Sequence, residues 1–160
     1  MTGTRRSTVN VRPAVPGDAG AIAAFNREMA RETEDRDLDP GTVAKGVAAI
    51  FAEPARGGYF VAERDGEVVG SLMLTREWSD WRNGEFWWIQ SVYVRPGARR
   101  TGVFRALYAD VIARARAAKR VCGVRLYVER ENEIARRVYD AVGMTETSYR
   151  LFEVDFVLGS

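Results

Sequence analysis

The stretch from residue 85 to residue 115 constrains the fold more than any other part of this sequence. Its first part, EFWWIQSVYV, is a strongly apolar run that ends at Val94 and is typical of a buried strand. A short loop, RPGARRTG, follows, and from Val103 the apolar residues recur at helical spacing. A strand, a tight loop and an amphipathic helix in direct succession indicate an α/β chain.

The rest of the sequence extends this pattern to the order β, α, α, β, β, β, α, β, α, β. Asp39 and Pro40 have the character of an N-cap and a first helical residue, and Asp65-Gly66 indicates a tight hairpin turn. The segment SYRLFEVDFV predicts a last strand. In the helix predicted before it, the residues expected to face inward are Ile134, Ala135, Val138, Tyr139 and Val142. We therefore predict an α/β (α+β) fold built around one mostly central sheet.

Length and composition exclude several classes of protein. A chain of 160 residues predicts one domain over residues 1–160. It has no histidine and one cysteine, Cys122, which excludes a typical zinc site and a histidine-based triad, and no metal is expected. The apolar neighbours of Cys122 predict that it is buried. No apolar run is long enough to span a membrane and no signal peptide is evident, so we expect a cytoplasmic protein without a membrane partner.

The loop after the apolar strand has the features of an anion site. A helix N-terminus presents unpaired N–H groups and the positive end of the helix dipole. Gly102 allows a ligand to approach the backbone, and Arg99 and Arg100 add positive charge. These residues predict a cradle for a pyrophosphate. A surface turn with solvated arginines explains the same residues, and pattern alone leaves both interpretations open.

Two segments resemble the signatures of the GNAT superfamily of N-acyltransferases. RRTGVFRALY is similar to the acyl-CoA-binding loop Gln/Arg-x-x-Gly-x-Gly/Ala, with Arg99 and Gly102 in the first two places. Phe104 stands where a second small residue is usual, so its ring must point away from the phosphates or the loop must be remodelled. NEIARRVYDAVGM is similar to the second signature, and its matching residues are Asn132, Ala135, Tyr139 and Gly143, with Met144 in place of phenylalanine.

The resemblance implies a GNAT-type mixed central sheet with helices on both faces and a splayed pair of strands, those containing QSVYV and VRLYV. It implies acetyl-CoA as cosubstrate, bound in the opening between these strands. Unpaired backbone groups of Val92 and Val94 would bind the pantetheine arm and polarise the thioester carbonyl. The full set of residues expected to bind the cosubstrate is Val92, Tyr93, Val94, Arg99, Arg100, Thr101, Gly102, Val103, Phe104, Arg105 and Asn132.

The same resemblance implies two catalytic positions. Tyr139 stands where the family often has the general acid that protonates the leaving thiolate, although it could instead only pack in its helix. Gln90 stands where many members have a basic glutamate, and an amide cannot accept the proton of an amine. A water held by Gln90 and Ser91, or a carboxylate such as Asp80 or Glu85, would have to serve. Asn132 could bind the coenzyme A arm, cap its helix, or do both.

Charge and aromatic residues indicate the kind of acceptor. The first 90 residues have three more acidic than basic side chains, and the last 70 have five more basic than acidic ones. The acidic run ETEDRDLD, residues 32–39, lies where family members build a wall of the acceptor cleft. The segment TREWSDWRNGEFWW, residues 75–88, combines four tryptophans with acidic residues and could hold a cation. A solvated loop and ordinary core packing are the alternative interpretations of these two segments.

These observations favour an N-acetyltransferase that moves an acetyl group from acetyl-CoA to a primary amine, by direct attack in a ternary complex. A small cationic amine is the expected acceptor. Two alternatives remain open, a domain that binds acyl-CoA without turnover and an acetyltransferase for protein N-termini or lysines. A nucleic-acid partner ranks last because the arginines are dispersed and no DNA-binding motif is present. The resemblance is also compatible with a homodimer.

Overall fold

The computed structural model describes residues 7–159, and its elements follow the predicted order up to the last helix. The strands are β1 (Asn10–Pro13), β2 (Gly58–Arg64), β3 (Glu67–Ser79), β4 (Gly84–Val94) and β5 (Val121–Arg125). The helices are α1 (Ala19–Glu34), α2 (Pro40–Ala52), α3 (Val103–Ala117) and α4 (Glu133–Ala141). They fall into two compact units, of which the first ends at Tyr127 and the second begins at Val128. One domain over residues 1–160 therefore stays a prediction.

The first unit is built on a mixed five-stranded sheet with the spatial order β1-β2-β3-β4-β5. The first three pairings are antiparallel, and β4 pairs with β5 in parallel because α3 intervenes between them in the chain. Asp65 and Gly66 join β2 to β3 with left-handed φ values of 53° and 79°. The prediction of a tight hairpin turn at these two residues is confirmed.

Helices cover both faces of this sheet. The adjacent β2 residues Val61 and Ala62 are both fully buried and belong to different apolar clusters, because neighbouring strand residues face opposite ways. On one face, α1 and α2 pack onto the strands through a cluster that contains Ile22, Val47, Tyr59 and Val61. On the other face, α3 packs through a cluster that contains Leu72, Leu74, Ile89, Leu107 and Val111. The predicted class, a mixed central sheet between helices, is confirmed.

The second unit departs from the sequence prediction. No strand forms over SYRLFEVDFV, and residues 145–158 have no regular secondary structure. Their apolar side chains, including Phe152 and Phe156, are exposed. In α4, Ile134 and Val138 are exposed rather than turned inward. Alternating apolar residues favour a strand, but a strand also requires a neighbouring edge to pair with.

Two smaller expectations for the first unit are also wrong. The strand predicted over VRLYV ends at Arg125. Cys122 is exposed, although its neighbours are apolar. It lies on β5, the edge strand of the sheet, where one face is not fully covered. None of the helices within residues 7–159 has the length and hydropathy needed to cross a membrane.

An ionic cluster connects β1 to β2 and to Asp18, the residue before α1. Arg12 on β1 donates to both carboxylate oxygens of Asp18, at 2.8 and 3.1 Å, and to Glu63 on β2 at 2.7 Å. The buried Asp18 carboxylate also accepts from the backbone N–H of Val15 at 2.7 Å. The hydrogen bonds from Arg12 lower the pKa of Asp18 below its ordinary value, and burial only partly opposes them.

We expect Asp18→Asn to lower the free energy of unfolding by about 1–3 kcal/mol at pH 7, because charge-assisted hydrogen bonds are lost. A carboxyl whose pKa is depressed on folding stabilises the protein above its unfolded pKa, about 3.9, and this contribution disappears as pH falls through the lower folded pKa. The deficit of the variant should therefore stay constant from pH 7 to about pH 5 and shrink as pH falls below about 4 in urea titrations. The exposed pair Glu53–Arg56 supplies the control, and Glu53→Gln should cost less than about 0.5 kcal/mol. Equal losses in the two variants would contradict the prediction.

Candidate functional site

The pairing between β4 and β5 covers only the first half of β4. It extends from Glu85 opposite Val121 to Trp88 opposite Arg125, the last residue of β5. β4 continues to Val94. Within the described residues, the second half of β4 thus has a strand partner only on the β3 side. This is the part of β4 where the family resemblance implies a splayed strand pair.

A β-bulge lies on β4 beyond the last residue that pairs with β5. Between the pairs Tyr93–Ser71 and Gln90–Met73, β4 has two residues where β3 has one. One of the two is Ser91, whose φ of 50° lies in the left-handed region. A bulge of this kind bends its strand and increases the local twist. The bulge therefore bends the half of β4 that pairs only with β3.

The bulge also decides which backbone groups face the opening. The N–H of Arg95 donates to the carbonyl of Val69 on β3 at 2.8 Å. Because successive N–H groups of a strand alternate in direction, the N–H of Val94 points away from β3. Val92 is one of the two bulge residues, where this alternation is interrupted.

A short loop connects β4 to α3. It contains a single 3-10 turn at Pro96–Ala98 and two left-handed residues, Arg100 with φ 60° and Gly102 with φ 89°. Gly102 is the N-cap of α3 and no side chain caps that end of the helix. The first turn of α3 consequently presents its N–H groups and the positive end of its dipole outward. Arg100 and Arg105 are exposed cations beside it.

A side-chain bond from β2 holds this loop. Thr101 donates its hydroxyl to the carbonyl of Ala98 at 2.5 Å and accepts from the Nη1 of Arg64 at 2.8 Å. The Nη2 of Arg64 also donates to the carbonyl of Thr101 at 3.2 Å. The Thr101 hydroxyl is therefore used within the loop, and only its backbone N–H can serve a ligand.

Arg99 has partners that the sequence did not indicate. Its Nε donates to the carbonyl of Val94 at 2.9 Å, and its Nη2 lies 2.6 Å from the Oε2 of Glu32 on α1. Its guanidinium also stands 5.4 Å from the ring centre of Tyr93. The Tyr93 hydroxyl donates to the Oε1 of Glu32 at 3.4 Å, and burial, with the nearby Glu32, raises the pKa of this phenol. Glu32 was indicated only as the first member of the acidic run 32–39.

Three other residues expected at the site point elsewhere through their side chains. The Tyr93 ring stacks on Phe25 of α1, with centroids 5.0 Å apart, and Val103 is buried in the α3-side cluster. The ring of Phe104 lies 6.1 Å from that of Tyr108, one turn further along α3. The Phe104 ring thus packs along α3, and its orientation relative to the phosphates stays a prediction.

Of the polar residues proposed for proton transfer, Gln90 lies close to the bulge in β4, whereas Asp80 and Glu85 lie far from it. Gln90 lies on the α1 side of β4, and its Nε2 donates to the Oγ1 of Thr75 at 2.5 Å. Asp80 and Glu85 lie at the hairpin end of β4, and Glu85 is about 20 Å of strand away from Ser91. Glu85 accepts from the indole of Trp87 and pairs with Arg76. Of the carboxylates considered, Glu32 is the one that contacts the part of β4 beyond the bulge.

The tryptophans of residues 75–88 divide between core and surface. Trp87 packs against the α3-side cluster, as its alternative interpretation predicted. Trp88 faces the α1 side and lies 5.9 Å from the ring of Tyr127. Trp78 and Trp81 are exposed at the hairpin end. Only Trp88 shares a face of β4 with Gln90. Among the described residues, no histidine, cysteine, aspartate and glutamate side chains form a group of three or more that could hold a metal ion.

The chain matches the sequence model of a known protein family. The model of the acetyltransferase (GNAT) family matches residues 22–144, which include β4, the loop, α3 and α4. This chain belongs to the GNAT acetyltransferase family.

Individual relatives agree with this GNAT membership. The mycothiol acetyltransferase of Streptomyces avermitilis is 33% identical over 148 residues, which are 89% of this chain and 46% of that protein. The chain thus spans about half the length of the curated relatives it matches. The crystal structure of a possible acetyltransferase from Clostridium difficile 630 is 40% identical and superposes with a TM-score of 0.86, covering 93% of this chain and 98% of that one. AAC(6')-Iy in complex with the bisubstrate analogue CoA-S-monomethyl-acetylneamine shares the fold, with a TM-score of 0.76 at 18% identity, and covers 93% and 99%.

The second GNAT signature lies in the second unit. Asn132 is the N-cap of α4, and its Oδ1 accepts from the N–H of Ala135 at 3.1 Å. Its predicted capping role is therefore observed. Tyr139 lies on α4, and burial raises the pKa of its phenol above the ordinary value of 10. Tyr139 thus stays protonated at neutral pH, as a proton donor must.

The left-handed conformation of Gly102 can be tested against a second glycine. A Cβ added at Gly102 or at Gly46, within α2, would meet no atom within 4 Å. Only Gly102 has a positive φ, so Gly102→Ala should lower the free energy of unfolding by about 1 kcal/mol. Gly46→Ala should raise it by about 0.5–1 kcal/mol through helix propensity. Urea unfolding of both variants measures the difference, and changes of the same sign would show that the loop does not require this backbone conformation.

Proposed function

We propose that this chain transfers an acetyl group from acetyl-CoA to the primary amine of a small cationic acceptor, by direct attack in a ternary complex. The observation that carries the proposal is the half of β4 that pairs only with β3 and leads into the uncapped N-terminus of α3. In this proposal the backbone N–H groups of Val92 and Val94 would serve the ligand beside it. Membership of the GNAT family supports acetyl-CoA as the acyl donor. The related fold of AAC(6')-Iy with a coenzyme A analogue agrees with this choice.

The loop fits the pyrophosphate of the cosubstrate. The first turn of α3 offers backbone N–H donors, and Gly102 adds no side chain in front of them. Arg100 and Arg105 would supply charge from the surface. The backbone of Thr101, Val103 and Phe104 would donate, while their side chains are used in the loop, the core and the helix surface.

The reaction follows from these groups. The lone pair of the neutral amine attacks the thioester carbonyl carbon, and the C=O electron pair moves to the oxygen. The N–H groups of Val92 and Val94 would stabilise this oxyanion, at roughly 3–4 kcal/mol for each donor. Collapse re-forms the carbonyl and breaks the C–S bond, the electron pair leaves on sulfur, and the Tyr139 hydroxyl gives a proton to the thiolate. The proton lost by the amine passes to water, and the Tyr139 oxygen regains a proton from water before the next turnover.

Proton removal from the acceptor cannot use the strand position that many GNAT proteins use. That position is Gln90, whose amide nitrogen is engaged with Thr75 and whose oxygen remains an acceptor for water. We assign Gln90, together with Ser91, to holding the water that receives the proton.

The acceptor is assigned as a cationic amine because of the charges beside the α1 side of β4. Glu32 contacts Tyr93 there, and the acidic run 32–39 continues from it. Trp88 presents an aromatic ring on the same face as Gln90. A cation gains from carboxylates and from aromatic faces together, whereas an anionic acceptor would be repelled.

One other function has an observation in its favour. A domain that binds acyl-CoA without turnover would need neither a basic strand residue nor the usual small residue of the loop, and Gln90 and Phe104 stand at those two places. Acetylation of protein N-termini or lysines uses the same chemistry with a larger acceptor. Substrate profiling separates these cases.

The direct test is release of coenzyme A thiol from acetyl-CoA with a panel of polyamines, neamine, deacetylated mycothiol, amino acids and peptide N-termini. We expect turnover with at least one small cationic amine. Arg100→Ala should weaken acetyl-CoA binding about threefold to tenfold, because one phosphate contact is lost, whereas Arg116→Ala, at the far end of α3, should not. Binding of acetyl-CoA with no turnover across the panel would favour the non-catalytic alternative.

Tyr139→Phe tests the proton donor. The substitution removes one hydroxyl and keeps the ring, so we expect kcat to fall about 100-fold with acetyl-CoA affinity unchanged. Single-turnover and binding measurements on the same preparations separate the two effects. The matched control is Tyr108→Phe on α3, which should retain full activity. A Tyr139→Phe variant with wild-type kcat would leave the thiolate to be protonated by water.

A further inference from the structure

Arg99 stands between the two halves of the proposed site. Through its position in the loop it belongs to the pyrophosphate cradle, yet its Nη2 lies 2.6 Å from Glu32, on the helix that lines the acceptor side. Glu32 in turn accepts from the Tyr93 hydroxyl on β4. One guanidinium therefore connects residues that would contact two different substrates.

We propose that the Arg99–Glu32 pair couples the two binding events, so that the pyrophosphate of acyl-CoA and the Glu32 carboxylate compete for Arg99. Binding of acyl-CoA takes Arg99 and leaves Glu32 as a free carboxylate beside Tyr93. Glu32 then binds an ammonium group of the acceptor and positions the acceptor so that its neutral reacting amine can attack. This inference rests on the proposed function and assigns Glu32 as a specificity-determining residue for a cationic acceptor.

The ion pair between Arg99 and Glu32 is weak enough for a pyrophosphate to displace Glu32. The side chains of Arg99 and Glu32 are 43% and 36% exposed, and ion pairs of that exposure contribute little net free energy. A pyrophosphate offers more charge and more acceptor oxygens, and a guanidinium binds such groups bidentately. The exchange of partners is therefore downhill when acyl-CoA arrives, and no backbone rearrangement is needed because the bond to be broken joins two side chains.

The remaining contacts of Arg99 guide its movement. Its Nε is held by the carbonyl of Val94, and its guanidinium stacks near the Tyr93 ring. These two contacts are on β4 and do not involve Glu32. Arg99 can thus release Glu32 through Nη2 while its Nε stays bound at the edge of the opening.

The coupling has a defined sign. In the free protein the charge of Glu32 is neutralised, so a cationic amine gains little there. Once acyl-CoA has taken Arg99, the same carboxylate is unpaired and attracts the amine. Because coupling between two sites is reciprocal, the amine must also strengthen acyl-CoA binding by the same factor.

Calorimetric titration of coenzyme A into wild-type protein, Glu32→Gln, Arg99→Ala and the double variant tests the competition. We expect Glu32→Gln to bind coenzyme A about twofold to fivefold more tightly, because a competitor for Arg99 is removed. In the Arg99→Ala background the Glu32 substitution should have no effect, since nothing is left to compete for. Equal affinities of wild type and Glu32→Gln would overturn the inference, as would the same gain in both backgrounds.

Asp110→Asn is the matched control for the loss of one negative charge. Asp110 pairs with Arg114 at 2.7 Å with side chains of comparable exposure, but on the body of α3. Its coenzyme A affinity should stay within twofold of wild type. A gain equal to that of Glu32→Gln would reduce the effect to net charge and overturn the inference.

A second experiment measures the affinity of the protein for spermidine, a simple polyamine, with and without saturating coenzyme A. Wild type should bind spermidine at least threefold more tightly with coenzyme A present, and Glu32→Gln should show no such increase. If coenzyme A does not alter spermidine binding to wild type, the release of Glu32 is wrong. Failure of wild type to bind coenzyme A at all would instead contradict the proposed function, so the two failures are distinguishable.

Discussion

The extra residue in β4 is the constraint on which the site depends. In a regular strand, N–H groups alternate between two neighbours, and in a closed sheet every one of them is paired. The bulge at Ser91 shifts this alternation, and β4 loses β5 as a neighbour beyond Trp88. Unpaired backbone donors are costly when buried, so the N–H groups of β4 that do not face β3 need a ligand or water to satisfy them.

The loop after β4 shows how a ligand site is made rigid without using up its donors. The left-handed residues Arg100 and Gly102 turn the backbone, and the bond from Arg64 to Thr101 fixes that turn from β2. The side chains that hold the loop point inward or along the sheet. The N–H groups at the start of α3 have no side-chain cap, as the proposed anion site requires.

Much of this arrangement followed from the sequence. The order of elements up to the last helix, the hairpin turn at Asp65-Gly66 and the loop between β4 and α3 were predictable because each depends on local patterns of turn and helix residues. The last strand was not, because SYRLFEVDFV has the alternation of a strand whether or not an edge is available to pair with it. The prediction that Cys122 is buried was wrong for a related reason. Apolar neighbours predict membership of a strand, and only the position of β5 at the edge of the sheet leaves that side chain exposed.

The contact between Glu32 and Arg99 could not be predicted from the sequence, since 67 positions separate the two residues and each belongs to a local pattern of its own. The acidic run is typical of a solvated loop, and the arginine is typical of a phosphate ligand. Only packing of α1 against β4, through Phe25 and Tyr93, brings them together. The site thereby has a carboxylate on a helix although its strand has glutamine at position 90, and an ionic group on a helix surface can change partners more easily than one fixed in a sheet. A carboxylate that is neutralised until the cosubstrate binds would attract the acceptor only when there is an acetyl group to receive.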